Sequence, residues 1–220
     1  MIKDITIINQ QMLENWVKNQ DGRFLHLLQS QTKNGDTKSI SHKWLLESTP
    51  KRMIYEILYG DLLVGNKDKV VVDVGSGYCS LSRLLTIQHQ YYPVDFSLSG
   101  IDWYNFNCPD CDIVLANDLF PNVDQRLELF LGKFLPHCKE MRLSLTYFNK
   151  PKWYTLKRID GDEILTMLAW TGEQVRDVLE GYNSNMTSKQ HVNLSCLTQD
   201  VPSISPNGRQ VAIVSLKGQN

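Results

Sequence analysis

The residues with the clearest chemical signature are Val70 to Ser82, reading VVVDVGSGYCSLS. A β-branched apolar run ends in Asp73-Val74, Gly75-Ser76-Gly77 follows at once, and a helical pattern runs from Ser80 to His89. A strand, a glycine bend and a helix in this order bring backbone close to a ligand at the carboxyl end of the strand. Gly75 and Gly77 would permit conformations and approaches that a Cβ blocks. Two ligand chemistries compete for such a loop. A dinucleotide loop reads Gly-x-Gly-x-x-Gly and lays a pyrophosphate on the helix N-terminus, but here Ser80 holds the last glycine's place. Asp73, two residues before the first glycine, would repel a pyrophosphate and suits a ligand with an amino group or a positive charge.

Other candidates lie further along. Asn117 and Asp118 directly follow the buried run Asp112–Ala116, where polar groups sit at the ligand edge of a parallel sheet. Asp118 would act as a base or hold a substrate amine, and Asn117 would hydrogen-bond either ligand. The competing reading is N-capping of the next helix by Asp118 or Asn122. His191 titrates near neutrality and is a candidate base in a late strand, whereas His137 falls at a helix end and reads as surface. Cys108-Pro-Asp-Cys111 has half the ligands of a zinc site and no second pair, so it reads as a loop with two thiols and no metal is expected.

The elements that position these groups follow from periodicity. Residues 1–66 read as a helical N-terminal cap broken at Asn34-Gly35-Asp36, with a second helix after Pro50. Residues 67–220 then give strands at 70–74, 91–96, 112–116 and 141–148, with helices at 80–89 and 123–135 between them. This alternation predicts an α/β fold, a Rossmann-like wound sheet, mostly parallel, with helices on both faces. After the fifth strand position, Asp160-Gly161-Asp162 marks a hairpin insertion within 151–170. Thr171-Gly-Glu-Gln174 is a capping box opening a helix to Tyr182. Closing strands are expected at 191–197 and 211–216. The 153–169 hairpin and the N-terminal helices would form a substrate lid, with Trp153 and Tyr154 as substrate contacts.

The motif Asp73-Val-Gly75-Ser-Gly77-Tyr-Cys79 resembles that of the class I (Rossmann-like) S-adenosylmethionine-dependent methyltransferases. The resemblance covers residues 69–148 by motif and, more loosely, the rest of the chain by element order; Cys79 departs from the small residue often found there. It implies that Asp73, Gly75, Ser76, Gly77 and Tyr78 line the methionine part of S-adenosylmethionine, leaving S-adenosylhomocysteine as product. It also implies that Asp95, 18 residues past Gly77, binds the ribose hydroxyls. Asp102 would contact the adenine amino group and Trp103 would stack on the ring, but only six residues separate Asp95 from Asp102, where the family fits a helix and a strand. Asn117-Asp118-Leu119-Phe120 departs from the Asn/Asp-Pro-Pro-Tyr form of enzymes that methylate amines on nucleic acid and protein glutamine.

Composition narrows the acceptor. Lysine and arginine number 23 against 24 acidic residues, giving a net charge of −1, which argues against a protein gripping nucleic acid. No run approaches a membrane helix, the start lacks the layout of a secretory signal, and reduced cysteines suit a cytoplasmic protein. The expected activity is therefore methyl transfer to oxygen or nitrogen of a small molecule such as a metabolite or sugar. A protein or peptide acceptor, transfer of the cofactor's aminocarboxypropyl group, and a non-catalytic binding module remain as alternatives. Oligomeric state is not legible.

Overall fold

The structure is a computed structural model and describes residues 1–20, 22–33, 40–65, 67–77, 81–158, 163–183 and 192–220. In chain order the elements are β1 (Ile2–Ile7), α1 (Gln10–Asn19), α2 (Arg23–Lys33), α3 (Ile40–Glu47), α4 (Thr49–Val64), β2 (Val70–Val74), α5 (Ser82–Gln88), β3 (Gln90–Val94), α6 (Phe96–Ser99), β4 (Cys111–Asn117), α7 (Leu127–Phe134), β5 (Cys138–Tyr147), β6 (Trp153–Arg158), β7 (Glu163–Leu168), α8 (Gly172–Asn183) and β8 (Gln210–Lys217).

Six strands form one sheet in the order β1-β8-β5-β4-β2-β3, and β6-β7 forms a separate hairpin. β3, β2, β4 and β5 run parallel, β8 is antiparallel to β5, and β1 is antiparallel to β8. This is the Rossmann-like wound sheet the alternation predicts. Strand residues divide between two cores: Val71, Ile113 and Leu115 face one that includes Met53, Leu58 and Leu62 of α4, while Val72, Val74, Val114 and Ala116 face another built on Phe130, Phe134 and Leu179. A sheet buried on both faces explains why β2 and β4 are almost wholly apolar. From β2 the chain steps one way to β3 and the other way to β4, so the carboxyl ends of β2 and β4 flank a switch-point crevice.

Three expectations are corrected. The N-terminal region is not all helical, because the β-branched Ile2–Ile7 pairs with β8 and fills a sheet edge. The expected strand at 191–197 is absent from its described part: Asn193 Oδ1 accepts the Ser195 N–H at 2.9 Å and turns the chain into a 3₁₀ segment, Leu194–Thr198. The helix expected from Val123 starts only at Leu127, since residues 118–126 are held in a loop by side-chain bonds described below. The breaks at 34–36 and 160–162 lie outside the described residues.

The capping box is present. Gln174 Oε1 accepts the Thr171 N–H at 2.9 Å, and Thr171 Oγ1 accepts the Gln174 N–H at 3.4 Å. Thr171→Ala is expected to lower unfolding stability by about 1 kcal/mol in a denaturant titration. No helix among the described residues is long and apolar enough to cross a membrane.

Candidate functional site

β2 ends at Val74 and the chain turns through two left-handed glycines, Gly75 at φ 72° and Gly77 at φ 56°. β3 ties the turn down: Gly75 N–H donates to the Val94 carbonyl at 2.8 Å, and Gly77 N–H donates to Asp95 Oδ2 at 2.8 Å. A Cβ on Gly75 would lie 3.0 Å from Leu119 Cδ2, whereas one on Gly77 would meet nothing within 4 Å. Gly75 is thus the point of close approach, and Gly77 is needed for its backbone angle. Tyr78 lies outside the described residues.

Asp73 does not line a cavity at this loop. It is wholly buried, alternating with Val72 toward α4, and its two oxygens accept the hydroxyls of Tyr59 at 3.0 Å and Tyr91 at 2.8 Å. Burial raises its pKa to about 7 against the lowering pull of both tyrosines. The direct ligand contact expected of Asp73 is replaced by a place beneath the loop, because the strand's alternation turns it into the helix layer.

Two cavities meet at Gly75. The first, about 330 Å³, opens on the β3 side between Asp95, Phe96, Leu119, Val123 and Leu165. Its walls mix apolar side chains with Asp95, Asp102, Asp124 and Arg126, and Phe96 is 58% exposed there. Asp95 offers a carboxylate at the rim. Oδ1 already accepts Ser97 N–H and Oγ–H as the cap of α6, and Oδ2 accepts Gly77 N–H, which leaves Oδ2 room for one further donor. A single ribose hydroxyl fits this carboxylate better than the expected pair.

The short stretch between Asp95 and Cys111 is a compressed unit: one turn of helix, a left-handed Gly100 and a 3₁₀ turn at Trp103–Asn105. Asp102 and Trp103 border the first cavity, but both are otherwise engaged. Arg126 Nη2 reaches Asp102 Oδ2 at 2.8 Å and holds that carboxyl below its usual range. Trp103 is buried, donates Nε1–H to Asp124 Oδ2 at 2.7 Å, carries the Arg126 guanidinium 4.6 Å from its ring, and meets Phe120 and Phe130 edge-on. Both brace the 118–126 loop from the wall of this cavity. Phe96, next to Asp95, is the exposed aromatic on this wall.

The second cavity, about 180 Å³, lies on the β4–β5–β8 side of Gly75. Ser76, Gly77, Asn117 and Asp118 line it, as expected. Ser144, Thr146, Arg209 and, from α4, Lys51 and Tyr55 line it without having been singled out by motif. Asp118 has φ 56° and is fixed from three sides. Its N–H donates to Ser144 Oγ at 2.8 Å, Asn122 Nδ2 donates to Oδ1 at 3.2 Å, and Arg209 Nη1 donates to Oδ1 at 3.1 Å. Burial lowers the pKa of Lys51, opposed by the Asp118 carboxylate. The polar pair Ser144 and Thr146, alternating with Leu143 and Leu145 in an apolar strand, was the available signal for this wall. Arg209 and Lys51 gave none, since only the fold brings residues 51 and 209 together.

Trp153 and Tyr154 line neither cavity. Trp153 is 71% exposed; Tyr154 donates its hydroxyl to the Asn122 carbonyl and packs on Phe148, ring centroids 5.8 Å apart. The hairpin reaches the first cavity through Leu165 instead. His191 lies outside the described residues. Cys108 and Cys111 carry free thiols, and among the described residues no group of three or more His, Cys, Asp or Glu could hold a metal ion.

No family model and no curated protein matches the chain. Solved structures do resemble it. A S-adenosylmethionine-dependent methyltransferase from Clostridium acetobutylicum is 14% identical, with 90% of this chain and 99% of that one covered and a TM-score of 0.42. Magnesium protoporphyrin IX methyltransferase from Synechocystis, with bound SAH, is 13% identical over 94% of this chain and 99% of that one, at 0.40. A putative RNA methyltransferase from Pyrococcus horikoshii is 15% identical over 77% and 85%, at 0.38. All three are titled methyltransferases. The Rossmann-like class of this chain stands on its own strand order.

Proposed function

We propose that the protein is a S-adenosylmethionine-dependent methyltransferase acting on an oxygen or nitrogen of a small-molecule acceptor. The observation that carries this reading is the pair of dissimilar cavities that share Gly75, where a Cβ would press on Leu119. A nucleoside with a charged side arm suits that division. Phe96 and Leu119 would flank the base, Asp95 Oδ2 would accept a ribose hydroxyl, and the arm would pass Gly75 toward Ser76 and Asn117. The first cavity carries Asp95, Asp102 and Asp124 against Arg126 alone, a net negative lining that suits a nucleoside better than a pyrophosphate.

When bound, the cofactor would supply an electrophilic methyl group, and the chain's task is to align an acceptor with it and keep water out. Asp118 serves alignment: a carboxylate held by Arg209, Asn122 and its own strained backbone can accept one N–H or O–H of the acceptor in a fixed direction. Leu45, Ile54 and Tyr55 cover the cavity from α3 and α4 with apolar surface. A volume of about 180 Å³ and a net charge of −1 favour a small acceptor.

Calorimetric titration with S-adenosylhomocysteine tests the reading. Saturable binding with no binding of NAD is expected; the reverse, or binding of neither, would sink it. Asp118→Ala is expected to slow methyl transfer about 100-fold with S-adenosylhomocysteine affinity unchanged. The rate is followed as S-adenosylhomocysteine released in a metabolite extract.

A further inference from the structure

The carboxyl end of β5 presents two hydroxyls on one face, Ser144 and Thr146, both lining the second cavity and both almost inaccessible. Their bonding differs. Ser144 Oγ donates to Asn117 Oδ1 at 2.6 Å and accepts the Asp118 N–H. Thr146 Oγ1 is buried and has no hydrogen-bond partner among the described residues. Arg209, one residue before β8, spends Nη1 on Asp118 and leaves a buried Nε–H likewise without a partner among them. Unpartnered buried donors are costly, and native structures rarely keep them without a use.

A hydroxyl and a guanidinium N–H can both donate, so an acceptor oxygen suits both, and the cationic guanidinium favours one that carries negative charge. The cavity lining carries two cations, Lys51 and Arg209, against one carboxylate, Asp118. We propose that Thr146 and Arg209 bind an oxyanion, a carboxylate or phosphate, carried by the methyl acceptor, which makes the acceptor an acidic small molecule. This rests on the methyltransferase reading and adds the substrate class. Thr146 in β5 lies three strand positions, roughly 14 Å, from Asp95 after β3, one strand beyond the Asn117 toward which the cofactor's arm would run. The S-adenosylhomocysteine titration below separates the cofactor's carboxylate from the acceptor's.

The test is thermal melting of the full chain in sodium phosphate, sodium acetate and, as control, sodium chloride at matched ionic strength. Each variant is also titrated with S-adenosylhomocysteine. Phosphate or acetate is expected to raise the melting temperature of the wild type where chloride does not. Thr146→Val is expected to raise the anion-free melting temperature by about 2–4 °C, by removing an unsatisfied hydroxyl. It should also lose the anion response and keep wild-type S-adenosylhomocysteine affinity. Thr146→Ser should keep the response. A wild type indifferent to both anions, or a Thr146→Val that still responds, would overturn the proposal. A tenfold loss of S-adenosylhomocysteine affinity in Thr146→Val would also overturn it, by assigning the anion to the cofactor. An intact anion response with no S-adenosylhomocysteine binding would instead overturn the methyltransferase reading and the acceptor assignment with it.

Discussion

Gly75→Val is expected to lower S-adenosylhomocysteine affinity at least a hundredfold. Two costs combine at this residue. A φ of 72° is a conformation that penalises an L side chain by about 1–2 kcal/mol, and more for a β-branched one. The new Cβ would stand 3.0 Å from Leu119 Cδ2, and the γ-methyls would crowd the lining that both cavities share at Gly75. Gly77→Ala supplies the contrast. It has the same handedness and open space around it, so only the backbone cost applies and affinity should fall about tenfold, in keeping with that cost. Calorimetry on both variants, with melting curves to show that each still folds, checks the ranking. Equal affinities for Gly75→Val and wild type would remove the glycine turn from the binding site.

The second large effect concerns Asp73 and pH. Its carboxyl titrates near 7 in the fold against an ordinary value of 3.8. The folded state therefore holds the proton more tightly than the unfolded chain. Linkage then runs in one direction: stability from this group is full below about pH 4, falls as pH rises from 4 to 7, and is flat above. The loss across that window is about 4 kcal/mol. Asp73→Asn keeps a neutral group in place, so its stability relative to wild type should climb over the same window by a comparable amount. Guanidinium unfolding of both proteins between pH 4 and 8 measures it. A pH-independent difference would mean that the carboxylate stays charged between Tyr59 and Tyr91. Because Asp73 lies beneath the loop and off the cavity walls, Asp73→Asn is expected to retain S-adenosylhomocysteine binding, where the motif resemblance alone implies its loss.

What the sequence discloses depends on the range of the interaction. The run from Val70 to Gly77 is legible because burial on both faces, a glycine bend and a following helix are all local signals, and the structure matches them residue by residue. The Thr171–Gln174 cap is legible for the same reason. β1 was missed because six residues beside a helical pattern carry little periodicity, and their partner is some 210 positions away. The bracing roles of Asp102 and Trp103 gave no sequence signal, because their partners Arg126 and Asp124 approach from another segment. The second cavity shows the limit most plainly. Lys51, Asp118, Thr146 and Arg209 share no motif, and only the pairing of β4, β5 and β8, with α4 packed across β4 and β5, assembles them.

The sheet edge has a consequence for synthesis. β8 lies between β5 and β1, so during synthesis β1 has no partner in this sheet until residues 210–217 have emerged. Until then β1 and the open flank of β5 both offer bare backbone, a state prone to intermolecular pairing. Arg209 arrives with that same strand, so completion of the second cavity and closure of the sheet against aggregation should be acquired together.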